Sequence, residues 1–253
     1  MRAYELMKET FFRRSYIWIA HVVWLALYGS FWWLLLPEGD EFGRFIFIWG
    51  GFLLPLALSA GILGDDISSG RICVLMTKPF WPGELYLYRL LGLALQAAVH
   101  FLLAGCLVLA LHAFMRKGRI DHLGSWLFAS WLLFNTCAAL STSLSVVVGR
   151  AFNSLLLLVT VVTGYFIVTL LMAYLRQQAS MGVVMGFIRY AWPPFELLSR
   201  FAGGEYGQYS LTVGRYSVAQ STACVVHSLV LTAVYSAVGI VLLNTRQFSR
   251  VRD

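Results

Sequence analysis

The sequence predicts an all-α integral membrane protein of six transmembrane helices, and three observations predict it. Of its 253 residues 59% are hydrophobic and only 12% charged, where about 25% charged is usual for a soluble domain. So little polar surface could not cover a soluble protein of this size. Six apolar blocks free of Lys, Arg, Asp and Glu fall at residues 17–36, 45–63, 90–114, 125–148, 154–175 and 219–243. Each approaches or exceeds the roughly 20 residues that a helix needs to cross a bilayer. The strict alternation of a membrane β-barrel is absent. No break in composition separates a second domain, so 1–253 reads as one unit.

Residues 1–15 precede the first block as a short amphipathic segment. Tyr4, Met7 and Phe11 share one side at helical spacing, Glu5, Lys8 and Glu9 another, and Glu9–Arg13 is a favourable pair one turn apart. Such a helix lies in the plane of the interface before the first span begins; the alternative is a frayed tail of basic anchor residues. The first block is too long for a cleaved signal peptide. Arg2, Lys8, Arg13 and Arg14 precede it and Glu38, Asp40 and Glu41 follow it, which places both termini in the cytoplasm. The basic tail Arg246, Arg250 and Arg252 agrees, whereas Arg116, Lys117 and Arg119 fall outside as an exception. Basic residues are spread over both faces, so the net charge of +7 does not describe a nucleic-acid surface.

Between the second and third blocks lies the sizeable polar island of the N-terminal half, at 65–84. It opens on Asp65 and Asp66, contains Gly70 and Pro79, and leads into Arg89 at the start of the next span. The second span contains Gly50, Gly51, Pro55 and Gly61, residues that permit a kink or a close helix contact. The fourth span carries Asn135, Ser141, Thr142 and Ser145 on one face. Small hydroxyl residues at this spacing are read either as helix–helix packing or as the lining of a polar path. The segment at 176–218 is broken by Pro193, Pro194, Gly203 and Gly204 and forms the largest external stretch, with a short non-spanning piece expected at 182–192.

Catalytic motifs are lacking. There is no phosphate-binding Gly-x-x-x-x-Gly-Lys loop, no Gly-x-Ser-x-Gly and no His-Glu-x-x-His. Cys73, Cys106, Cys137 and Cys224 are scattered without metal-ligand spacing. His21, His100 and His227 lie within spans but none has a ligand partner one turn away, so each reads as a packing residue. The tryptophans cluster near span ends, where interfacial anchoring accounts for them. An enzyme is not supported, and this chain is expected to bind no cofactor.

The island at 65–92 resembles the permease subunit of type-2 ATP-binding-cassette transporters. That family places an acidic cluster, then Gly-Thr-Leu, a short Leu-rich run, a Pro and a basic residue opening the third helix. Here Asp65 and Asp66 occupy the acidic cluster, Gly70 the Gly, Leu75 and Met76 the apolar run, Pro79 the Pro and Arg89 the basic position. Arg71 replaces the usual Thr, Ser68 and Ser69 stand where acids are frequent, and Pro82 takes a position often held by Arg. The N-terminal segment resembles the family's elbow helix, and the run from Pro193 to Arg200 its external stretch.

The resemblance implies two six-helix permeases, identical or related, pairing around a translocation path in the bacterial cytoplasmic (inner) membrane. Two separate cytosolic ATPase subunits would bind the ATP and Mg. The island at 65–84 would be the coupling helix, capped by Asp66 or Ser68, with Asp65, Asp66, Gly70, Arg71, Leu75, Pro79 and Arg89 as contact and hinge positions. The competing reading is a non-transporting membrane scaffold that recruits an ATPase or assembly factor through the same island.

Overall fold

The computed structural model describes residues 2–12, 15–34, 39–76, 81–114, 120–175, 191–204, 210–213 and 216–246. Pro79, Arg13, Arg116, Lys117 and Arg119, most of the 182–192 piece, and the tail beyond Arg246 lie outside the described residues. The elements are α1 (Arg2–Phe12), α2 (Ser15–Leu34), α3 (Gly39–Leu58), α4 (Gly64–Ser68), α5 (Arg71–Met76), α6 (Pro82–Phe114), α7 (Leu123–Leu144) and α8 (Arg150–Leu175). They continue with α9 (Phe195–Ala202), the strands β1 (Ser210–Val213) and β2 (Tyr216–Ala219), and α10 (Gln220–Thr245).

Among the described residues three helices are long and apolar enough to cross a membrane: Pro82–Phe114, Leu123–Leu144 and Thr222–Thr245. Gly43–Leu58 and Arg150–Thr163 are shorter apolar helices. These helices give the chain the character of an integral membrane protein. The described residues are helical apart from turns and one antiparallel hairpin, with Ser210 opposite Ala219 and Val213 opposite Tyr216. That hairpin was not expected from the sequence. Its β-branched and aromatic residues flank a two-residue Gly-Arg connection, which is the ordinary signal for one.

Three expected boundaries move. The second apolar block runs to 63, but α3 stops at Leu58. Pro55 lies inside its last turn, Ser59 returns both its backbone N–H (3.0 Å) and its hydroxyl (2.6 Å) to the Pro55 carbonyl, and Gly61 turns the chain at φ 69°. The fourth block runs to 148, but α7 ends at Leu144 and Ser145–Val148 form turns before Gly149. The third span begins earlier than its apolar block: α6 starts at Pro82, where a missing N–H costs nothing because that donor has no partner in a first turn.

The centre of the bundle is α7, packed between α3 and α10 with α6 and α9 also against it. A Cβ on Gly51 would lie 2.5 Å from the Ser130 carbonyl oxygen, so this glycine sets how closely α3 approaches α7. Between α7 and α10 the contact is sewn with hydroxyls. Ser143 donates to the Tyr235 carbonyl at 2.5 Å, Thr136 to the Ser228 carbonyl at 3.3 Å, and Tyr86 of α6 donates to the Ala139 carbonyl at 2.9 Å.

A buried ion cluster at the α3–α6 connection

The polar island folds as two short helices rather than one. Between them Gly70 adopts φ 68°, a conformation costly for any residue with a Cβ, while its N–H reaches the Ile67 carbonyl at 3.1 Å. Nothing lies within 4 Å of where a Gly70 Cβ would be, so backbone conformation alone selects glycine here. Ser69 donates to the Asp65 carbonyl at 2.6 Å and closes the end of α4.

The start of the connection is seated closely against its neighbours. A Cβ on Gly61 would lie 2.6 Å from Arg150 Cβ, and one on Gly64 would lie 2.9 Å from the Ser145 carbonyl oxygen. The Leu63 N–H donates to the Ser145 hydroxyl at 3.4 Å. The connection therefore rests on the turn between α7 and α8.

Asp66 does not cap a helix, as expected from the sequence. Its Oδ2 accepts a hydrogen bond from Arg89 Nη2 at 3.0 Å, and both side chains are completely buried. Arg89 also donates from Nη1 to the Thr10 hydroxyl at 2.9 Å and lies 3.6 Å from Glu9 Oε2. Thr10 in turn donates to the Leu6 carbonyl at 2.8 Å. Arg71 at the start of α5 donates from Nη2 to Glu9 Oε1. One cluster thus joins α1, α4, α5 and the first turns of α6. Two acids face two guanidinium groups, so its formal charge is balanced, as burial of ions demands.

Glu9 and Thr10 are the members that sequence reading missed. Glu9 was read on the polar side of α1 and paired with Arg13, which lies outside the described residues; it also faces Arg71 and Arg89. The signal was available in the spacing of Leu6 and Thr10, which form the buried stripe of α1, while Tyr4, Lys8 and Phe12 form its exposed stripe. α1 lies against α6 because Gly92 leaves room: a Cβ there would be 2.7 Å from Thr10 Cβ and 2.9 Å from the Met7 carbonyl oxygen.

Six of the seven expected coupling positions are described, Pro79 lying outside the described residues, and they separate by burial. Asp66, Arg89 and Leu75 are buried within the chain, with Ile72 beside Leu75 on the inner side of α5. Asp65, Gly70 and Arg71 are partly exposed, and Cys73 and Val74 face outward together with Ser68 and Ser69. Arg89 is out of reach of any partner docked on this surface, so it positions the connection rather than touching a partner.

The four residues expected to line a path are all buried in interhelical packing of this chain. Asn135 donates to the Trp131 carbonyl at 2.8 Å and Ser145 to the Thr142 carbonyl at 2.7 Å. The Ser141 carbonyl accepts from Asn153 of α8 at 2.9 Å. The Ser141 and Thr142 hydroxyls are buried without a hydrogen-bond partner. No group of three or more metal-ligating side chains occurs among the described residues. No protein-family model and no curated protein matches this chain.

Proposed function

We propose that this chain is the permease subunit of an ATP-driven exporter of the type-2 ATP-binding-cassette class. In this reading α2, α3 and α8 join the three long apolar helices as spans, α1 is the elbow helix, and both termini are cytoplasmic in a bacterial inner membrane. A second copy or a related permease completes the path, and cytosolic ATPase subunits bind the ATP and Mg. The observation that carries the reading is how the α4–α5 connection is mounted. Its outer side presents Ser68, Ser69, Cys73 and Val74, while beneath it Asp66 is locked to Arg89 and through Arg89 to α1. A segment that receives a push from a partner must be fixed to the elements it is to move. Here it is fixed to both the N-terminal helix and the longest helix of the bundle.

The test uses inside-out membrane vesicles from cells producing or lacking the chain. Lumenal contents are compared after incubation with ATP or a non-hydrolysable analogue. ATP-dependent accumulation of a compound only in vesicles holding the chain is expected. An ATPase that binds the chain without any such accumulation would instead establish the scaffold reading.

A further inference from the structure

His21 on α2 and His100 on α6 face each other through Nδ1 at 2.7 Å, with ring centroids 4.6 Å apart. Their residues are 4% and 2% exposed, and His100 lies near the middle of α6. At this separation one Nδ1 carries a hydrogen and the other accepts it, so the two neutral rings hold different tautomers. The donating ring then has a bare lone pair on Nε2, and a further proton has a defined destination. An N–H bond forms at that Nε2 as an O–H bond of hydronium breaks, and the pair becomes a monocation that keeps its N–H···N bond. A second added proton places hydrogen on both Nδ1 atoms and removes the bond.

Among the described residues, the polar and ring-bearing side chains near the pair are aromatic or amide. On α2 they are Trp24 and Tyr28, whose ring lies 6.0 Å from His100; on α3 Phe47 stacks on Tyr28 at 4.9 Å. On α6 they are Phe101, at 5.4 Å from His100, and Gln96 one turn before it. Gln96 is buried and both of its amide atoms lack a hydrogen-bond partner. Among these neighbours Tyr28 alone is titratable. The Glu9–Asp66–Arg89 cluster is centred eleven residues (100 − 89) away on α6, roughly 16 Å along the helix. Its acids are committed to arginines. Toward the C-terminal ends of α2 and α6 the pair gives way to an apolar groove of about 600 Å³, walled by Leu25, Ala26 and Gly29 against Leu103, Leu107 and Leu111.

We infer that His21 and His100 form an internal proton-binding site that holds α2 against α6 when neutral and loosens that contact when it takes up a proton. A cation placed among these groups draws water toward it, and the route open to water is separation of the two helices along the groove. The site does not depend on an ATPase partner.

The experiment places spin labels on the full chain in lipid nanodiscs at Leu27→Cys and Leu109→Cys, both exposed, with Cys73 and Cys106 replaced by Ser. The distance distribution is measured from about pH 8 to about pH 3. A shift of several Å to longer or broader distances on acidification is expected. It should vanish in the His21→Gln/His100→Gln chain, whose amides can hydrogen-bond without titrating. No shift in the parent labelled chain, or the same shift in the double variant, overturns the inference. A second reading needs no histidine variant. In the chain labelled with isotopic nitrogen in histidine, at about pH 8, nuclear magnetic resonance should correlate one protonated with one bare ring nitrogen across a hydrogen bond. Absence of that correlation overturns the inference even if the double variant does not fold.

Discussion

Removing the Arg89 side chain is the sharpest perturbation of the ion cluster. In Arg89→Met the Asp66 carboxylate stays completely buried after losing its partner at 3.0 Å. Breaking a buried pair on one side costs about 3–5 kcal/mol, because the remaining charge is uncompensated. Asp66→Asn should cost about 3 kcal/mol, the lower end, since Glu9 at 3.6 Å still faces the guanidinium. The double variant Asp66→Asn/Arg89→Met buries no unpaired ion, and replacing both partners is often nearly neutral. It should therefore be more stable than Arg89→Met alone, with a coupling energy of about 3 kcal/mol or more. The assay is reversible unfolding of the purified full chain in mixed detergent micelles, followed by tryptophan fluorescence. Additive single effects, or an Arg89→Met chain as stable as wild type, would refute the reasoning.

The remaining predictions separate the contributors. Arg71→Ala should cost no more than about 1 kcal/mol in the same assay, because the Arg71 and Glu9 side chains are 39% and 29% exposed and water screens their pairing. Thr10→Val keeps the shape of the residue but removes the Arg89 hydrogen bond, and should cost about 1–3 kcal/mol. Gly92→Leu should undock α1, read as faster protease cleavage within residues 2–12 while α6 and α7 stay protected. Gly70→Ala meets only the conformational penalty of about 1–2 kcal/mol, whereas Gly61→Ala also drives a Cβ against Arg150 and should be the more destabilising of the two.

The membrane character of the chain was legible because block length and the absence of charge are properties of single segments. Helix ends were less so. The stop of α3 at Leu58 depends on Ser59 and Gly61 acting together over a proline turn, inside a block that is apolar throughout. Within the candidate site, Gly70 was singled out through the family resemblance, and its positive φ gives a glycine there a physical reason. Asp66 and Arg89 were singled out as well, as contact and hinge positions; their pairing with each other joins separate helices, which local reading does not see. The pairing of Glu9 with Arg71 and Arg89 escaped local reading for a related reason: these residues come close only after α1 docks on Gly92. The same limit hid the histidine pair, whose members lie on different helices and have no ligand one turn away.

Burial divides the work of the connection. The inner half, Asp66 with Arg89 and Ile72 with Leu75, fixes it to the bundle, and the outer half, with Val74 63% exposed, is free of that task. A substitution on the outer half should therefore leave stability unchanged while altering any partner contact, and one on the inner half should do the reverse.

The most direct measurement is ATP hydrolysis by the chain purified from its own membranes, compared between wild type and Val74→Asp. The proposed role predicts an ATPase subunit that co-purifies at fixed stoichiometry with the wild-type chain and is lost with Val74→Asp, although the variant unfolds like wild type. An ATPase retained equally by both chains, or none with the wild type, would contradict the α4–α5 surface as the point where energy enters.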